Sequence, residues 1–200
     1  MNHYMFRLSL IAGMLFFTVT GVAHATTTTG HIHDPEHVVS GNAEFIREIE
    51  SRLTEFESKT AIRVLVRYHA KLPSDEEDSE PGAFMRKLSA QLGVLEDGIL
   101  EVYFAEADEW RVWIGNELTS RFVGKSGTAV EFTASGAMHD AKEAWLEKVF
   151  SESQGIWKWW QATSKGEAKH SDKVEFETIA LADGVEEKFL LIHKTLEEKE

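Results

Sequence analysis

The sequence predicts an α/β fold in which helices pack on a mixed β-sheet that contains a β-hairpin. A helical period of apolar residues through 43–60 changes to a period of two in the segment directly after it. Two further apolar segments, at 98–104 and 110–115, are separated by five residues and are typical of hairpin strands. The resulting order of helix, strand, helix, strand, strand, helix fits helices layered on a sheet.

The N-terminus has the features of an export signal. Arg7 is followed by an apolar run from Leu8 to Val22, and Ala23-His24-Ala25 has the small-x-small form of a signal peptidase site. The run is shorter than the roughly 20 residues that a membrane-spanning helix needs. We therefore expect cleavage near Ala25 and a soluble protein in the periplasm or another exported compartment, without a transmembrane anchor.

The composition limits both the chemistry and the partners. The chain has a formal net charge of −13, which repels nucleic acid and anionic lipid at long range. It contains no cysteine, so disulfides, thiolate metal sites and thiolate nucleophiles are unavailable to it. The length that remains after cleavage suits one domain with a tail, and its stability must come from apolar burial.

The first helix and the first strand are the clearest elements. Apolar residues recur at spacings of three and four from Phe45 to Phe56, which predicts an amphipathic helix over 43–60. The next segment, "AIRVLVRY", alternates from Ile62 to Tyr68 and predicts a strand with one face toward the core.

The following three elements complete the predicted sheet. After a polar loop, apolar residues from Ala83 onward predict a second helix that Gly93 can end. Residues 98–104 are apolar on both faces except for Glu101, as expected of a central strand. Alternation over 110–115 then predicts the second strand of the hairpin.

Beyond this hairpin the periodicity is weaker. Residues 117–122 predict a helical turn, 139–150 have one apolar helical face, and the polar segment 163–172 predicts a flexible link. Residues 174–200 predict a strand followed by a charged helix. The predicted organisation is a signal peptide over 1–25, a domain over 31–150 and a C-terminal extension over 151–200.

Short motifs before and after the predicted elements resemble those of a known family. They are "HDPEHVVSGNAEF" with Asp34 and Pro35 before the first helix, "EDGILEVYFA" with Asp97 and Gly98 before the central strand, and "RVWIGNELTSRF" with Gly115 and Leu118. Their order resembles the TPM domain family of bacterial envelope and thylakoid-lumen proteins. The resemblance covers about residues 31–150 and implies the same α/β fold.

The chain departs from this family's pattern at several positions. Ala61 stands where the family has the glycine of a Thr-Gly turn. In an alignment without gaps, a family glycine falls on Glu117, its glutamate on Thr119 and its later aspartate on Gly124. The resemblance therefore implies a fold more strongly than an activity, and no catalytic residue is assigned.

Two functions follow from the resemblance as expectations. The first is a non-catalytic or weakly catalytic module that supports assembly or maintenance of envelope proteins, with an envelope or periplasmic protein as its partner. The alternative is a divalent-metal-assisted phosphomonoesterase, because phosphatase activity is attributed to some TPM proteins. In that mechanism Asp34 and Asp97 would hold the ion that polarises the phosphoryl group and activates water.

Carboxylates at the strand ends are the first candidate metal ligands. We expect Asp34 and Asp97 to lie together at the mouth of the sheet, where they could hold Ca²⁺ or Mg²⁺ through oxygen ligands. Glu117 or Asp108 would complete the shell. The alternative is that Asp34 caps the region of the first helix and Asp97 begins a turn. No organic cofactor is expected.

Histidines in "HIHDPEH" form the second candidate site. His31, His33 and His37 could chelate a divalent ion, since His-x-His spacing permits it. An exposed, flexible segment must lose conformational freedom to do so. The alternative is a solvated tail that binds metal weakly.

Overall fold

The computed structural model describes residues 30–39 and 42–197, with side chains described as far as residue 190. The predicted signal peptide, including its cleavage site near Ala25, lies outside the described residues. Within the described ranges, no helix is long and apolar enough to cross a membrane.

A four-stranded mixed sheet lies at the centre of the fold, as predicted. Its strands are β1 (Ile32–His33), β2 (Val64–His69), β3 (Ile99–Phe104) and β4 (Glu109–Ile114). They lie in chain order across the sheet, with β1, β2 and β3 parallel to one another. β3 and β4 are antiparallel, which confirms the predicted hairpin.

Helices pack on both faces of this sheet. They are α1 (Ala43–Thr60), α2 (Ala83–Gln91), α3 (Thr119–Val123), α4 (Ala129–Ala134), α5 (Ala137–Thr163) and α6 (His170–Glu197), with a 3₁₀ turn at Asn116–Leu118 before α3. The predictions of α1, α2 and a helical turn after β4 are confirmed. The predicted helix at 139–150 is the first half of the longer α5.

The C-terminal part of the chain differs from its prediction. The strand expected from Val174 does not form, because α6 spans this region as one continuous helix. Val174, Leu181, Val185 and Phe189 are buried on one side of α6, and their successive spacings of seven, four and four are helical. Residues 174–178 read VEFET, and so short an alternating pattern fits either type of element.

The two long helices at the C-terminus contribute to the main core. α5 crosses the domain boundary predicted at residue 150, and α6 packs against α1 and the sheet. The Tyr68 hydroxyl and Thr178 Oγ1 form a buried hydrogen bond of 2.7 Å between β2 and α6. On the surface, Arg52 Nε of α1 donates to Glu186 of α6 at 2.6 Å.

The two faces of the sheet are buried by different helices. One face carries Val64, Val66, Tyr68, Ile99 and Tyr103, which belong to the core shared with α1, α5 and α6. The other face carries Leu65, Leu100, Val102 and Phe104, which pack with Met85 of α2 and with Val94. Only the edges of the sheet therefore remain open to a ligand.

α1 ends at a residue in a conformation that suits glycine. Ala61 has a φ of 57° and a ψ of 12°, in the left-handed region, and its N–H donates to the Glu57 carbonyl at 2.8 Å. A Cβ in this region clashes with the backbone at a cost of roughly 1–2 kcal/mol. This is the position at which the TPM resemblance implies glycine.

Ala61→Gly is expected to raise the free energy of unfolding by about 0.5–1 kcal/mol, since relief of strain exceeds the added entropy of the unfolded chain. Urea unfolding measures the change. As a matched control, Ala144→Gly on the exposed side of α5 should lower stability by about 1 kcal/mol. A loss of stability in Ala61→Gly would contradict the strain argument.

Glu101 is a carboxyl group inside the main core. It lies in the middle of β3 between Val66 and Val112, is 1% exposed, and its Oε1 has no hydrogen-bond partner among the described residues. Burial raises its pKa to about 8. The folded protein therefore keeps this carboxyl protonated at neutral pH, whereas the unfolded chain releases the proton above its ordinary pKa of 4.5.

The protein is expected to lose stability as pH rises between 4.5 and about 8, because unfolding then releases the Glu101 proton. The slope approaches about 1.4 kcal/mol per pH unit. Glu101→Gln should remove this slope, so that its stability relative to the natural chain increases from pH 5 to pH 8 in urea unfolding. Glu147→Gln, on the exposed side of α5, should follow the natural chain. Parallel curves for Glu101→Gln and the natural chain would show that Glu101 does not cause the dependence.

Candidate functional site

Asp34 and Asp97 lie at opposite ends of the parallel strands. Asp34 follows β1, whose His33 pairs with Arg67 near the carboxyl end of β2. Asp97 precedes β3, whose Ile99 pairs with Val64 at the amino end of β2. At about 3.3 Å per residue, this register separates the two carboxylates by roughly 20 Å along the strands. The expectation that they share one site is wrong, because a residue after one parallel strand and a residue before another lie at opposite ends.

The Asp34 carboxylate closes a turn of the backbone before α1. Its Oδ1 accepts a hydrogen bond from the Val38 N–H at 2.8 Å, and its Oδ2 accepts one from the Val39 N–H at 3.1 Å. His37 lies in this turn with a φ of 55°. Both Asp34 oxygens thus have a structural role, which agrees with the capping alternative.

Asp97 and Glu117 lie near each other at the amino end of β3. Asp97 is exposed within a turn, and the Glu117 N–H donates to the Glu96 carbonyl at 2.9 Å. The neighbouring Glu96 carboxylate accepts hydrogen bonds from the Asn116 amide at 3.0 and 3.1 Å. Within the described ranges, no group of three or more histidine, aspartate or glutamate side chains is placed to hold a metal ion.

The three histidines do not form a common site in this fold. His31 is 7% exposed, with Nδ1 at 2.7 Å from the Val64 carbonyl oxygen and Nε2 at 3.4 Å from a Glu57 oxygen. His33 and His37 are exposed. The solvated-tail alternative is wrong for His31, because β1 pairs with β2 and draws this residue into the protein.

Glu50 of α1 binds the backbone of β1 at the edge of the sheet. Its carboxylate accepts the N–H groups of His31 at 2.9 Å and Ile32 at 2.7 Å. These bonds satisfy donors at the outer side of a two-residue strand, which has few ladder hydrogen bonds of its own. The β1 edge is therefore short and occupied by α1.

A polar cluster at the carboxyl end of β3 attaches α6 to the hairpin. The Tyr103 hydroxyl donates to Asp108 Oδ1 at 2.8 Å and lies 2.8 Å from His170 Nε2. Lys173 Nζ donates to Asp108 Oδ2 at 2.6 Å and lies 3.3 Å from Glu177 Oε1. Although burial opposes it, hydrogen bonds from Lys173 and Tyr103 lower the Asp108 pKa. Asp108 thus serves this cluster instead of completing a metal shell around Asp34.

A concave surface runs along β4, and we call it the β4 groove. It has a volume of about 610 Å³, within the range of roughly 300–1,000 Å³ that is usual for ligand pockets. Residues of α2 form one wall, all of β4 forms the floor, and residues of α4 and α5 form the other wall. This groove was not predicted from the sequence.

The floor of the β4 groove presents unpaired backbone groups. Within the described residues, β4 pairs with β3 alone. The Gly115 N–H donates to the Gly98 carbonyl at 2.8 Å, so the alternation of an antiparallel pair directs the N–H groups of Glu109, Arg111 and Trp113 toward β3. The N–H groups of Trp110, Val112 and Ile114 point outward, along the groove.

The walls of the β4 groove combine apolar and charged side chains. Met85 of α2 faces Met138 and Leu146 of α5 across the strand. Arg111 bonds to Asp78 and to Glu109, each at 2.6 Å, which closes one ionic network at the rim.

Lys142 of α5 also lines the groove and is half-buried. Burial lowers its pKa.

Comparison with known protein families and with curated protein sequences returned no match. The resemblance to the TPM domain family stays a prediction.

Asp34→Ala is expected to lower the free energy of unfolding by about 1 kcal/mol through the loss of its two hydrogen bonds, equally in chelator and in Ca²⁺. This corresponds to a fall of roughly 2–4 °C in the melting midpoint. Asp97→Ala, in an exposed turn, should change stability by less than about 0.5 kcal/mol. Stabilisation of the natural chain by Ca²⁺ that disappears in Asp34→Ala would instead assign Asp34 to a metal site.

Proposed function

We propose that this protein is an exported, non-catalytic binding module that holds an extended segment of another envelope protein in the β4 groove. The segment adds to the sheet as a further strand beside β4. The observation that carries this proposal is the row of outward N–H groups at Trp110, Val112 and Ile114, set between two helical walls. Such a module would support the assembly or maintenance of the proteins whose segments it binds.

Strand addition gives affinity that depends little on sequence. An extended peptide pairs its backbone with an open sheet edge, and pockets beside the edge select alternate side chains. The β4 edge offers N–H groups along six residues, which is about the length of an average strand. The β1 edge spans two residues, and Glu50 occupies its donors there. The β4 edge is therefore the favourable one.

The groove walls suit an extended segment with apolar side chains. Met85 and Met138 are flexible and polarizable, so they adapt to side chains of different shape. Leu146 adds apolar surface on the same wall as Met138. A module that binds segments from several proteins benefits from this adaptability.

The same walls limit unwanted association through β4. An exposed edge strand is a template for aggregation unless charges, bulges or neighbouring elements protect it. Here α2 and α5 flank the strand, and the ion pairs of Arg111 with Asp78 and Glu109 lie at the rim. A single extended segment fits between the walls more readily than the flat edge of another sheet.

The phosphomonoesterase alternative has less support. It requires Asp34 and Asp97 to act on one ion, and their positions at opposite ends of the strands do not favour joint coordination. The hydrogen bonds of Asp34 to Val38 and Val39 give that carboxylate a structural explanation.

The proposal is tested with a displayed library of peptides of about eight residues, long enough to span one strand. Peptides that bind the purified protein are then followed by amide hydrogen exchange. Binding should slow exchange at Trp110, Val112 and Ile114 by tenfold or more, since these amides gain acceptors. The amides of Glu109, Arg111 and Trp113 are internal controls, because they already bond to β3.

Two peptides that are N-methylated at alternate sets of residues test the backbone pairing directly. N-methylation at the residues whose N–H groups face β4 should abolish binding, whereas N-methylation at the intervening residues should preserve it. Peptides that bind without protecting the three outward amides would refute strand addition. Protection of those amides by self-association of the protein, seen as a dimer in sedimentation, would assign the edge to a second copy of the chain.

A further inference from the structure

Lys142 stands out among the charged residues of the β4 groove because of its position on α5. Met138, Lys142 and Leu146 follow one another at intervals of four residues, so they share one helical face, and all three line the groove. The lysine stem thus lies between two apolar side chains on the α5 wall of the groove.

Among the described residues, no carboxylate that lines the groove forms an ion pair with Lys142. Asp78 and Glu109 both bond to Arg111. Glu143 lowers the local potential, but it is the next residue along α5 and adjacent residues of a helix do not face each other. Within the described part of the chain, the Lys142 ammonium has neither an ion pair nor a hydrogen bond.

A half-buried ammonium without a partner is destabilised relative to one in water. Burial lowers the Lys142 pKa, which is the expected sign for a cation that has lost hydration without gaining an anion. A carboxylate brought into the groove would restore this lost interaction. Arg86 of α2 also lines the groove and is likewise without an ion pair among the described residues, so it adds a second positive charge there.

We propose that Lys142 selects an acidic side chain, glutamate or aspartate, in the segment that binds along β4. This inference rests on the proposed function and adds the chemistry that distinguishes one extended segment from another. Backbone pairing gives general affinity, and the Lys142 ion pair fixes which residue of the segment lies beside Lys142. The acidic side chain is desolvated between Met138 and Leu146, where an ion pair is stronger than on the surface.

The test is a double-mutant cycle with a library-selected peptide, acetylated and amidated so that its termini carry no charge. Its acidic residue is changed from glutamate to glutamine, and the protein is changed by Lys142→Met, which keeps the linear stem and removes the charge. The natural protein should bind the glutamate peptide about tenfold more tightly than the glutamine peptide, and this preference should disappear in Lys142→Met. Lys142→Arg should retain it.

Lys87→Met is the matched control, since Lys87 is an exposed lysine of α2 that does not line the groove. It removes one positive charge and should leave the preference for glutamate unchanged. Equal preference in the natural protein and in Lys142→Met, with the three β4 amides still protected, would overturn this inference alone. Selected peptides without an acidic residue would do the same. Absence of any peptide that protects the β4 amides would overturn the proposed function and this inference together.

Discussion

Every residue of β3 is buried, and this burial requires a layer of helices on each face of the sheet. α2 covers one face, while α1, α5 and α6 cover the other. With both faces closed, a binding partner can reach the sheet only along an edge. The edge at β1 is short and joined to α1 through Glu50, which leaves β4 as the longer edge without a further strand beside it among the described residues. The candidate site thus follows from the way in which the core is closed.

The register of the β3–β4 hairpin determines what that edge presents. Gly98 and Gly115 form its base, where a Cβ on Gly115 would meet the carbonyl oxygens of Glu96 and Gly98. This close approach fixes the pairing of the strands. A slip by one residue would exchange the faces of every β4 side chain and would turn a different set of amides outward. The glycines therefore position the groove although they do not line it.

Carboxylates in this acidic protein serve largely to join segments of the fold. Asp34 closes the turn before α1, Glu50 holds β1, and Asp108 links the hairpin to α6 through Tyr103 and Lys173. Each accepts hydrogen bonds that would otherwise be lost on burial, which is the physical reason for a charged oxygen at these positions. Glu101 is the exception, because its Oε1 lies in the main core without a partner among the described residues and burial raises its pKa to about 8. We therefore expect stability to respond to pH through the centre of the sheet.

The sequence by itself determined the elements whose hydrophobic period is local: α1, β2, α2 and the β3–β4 hairpin, and with them the α/β class. Residue types alone suggested Asp34, Asp97 and the histidines as metal ligands, but their separation depends on strand direction and register. Only the tertiary structure placed Asp34 and Asp97 at opposite strand ends, buried His31 against Val64, and extended α6 through the region near Val174. The β4 groove also arises only when α2 and α5, which are separated by the hairpin in the chain, pack on either side of one strand. Periodicity reports which face of an element is apolar, whereas a site depends on which elements meet.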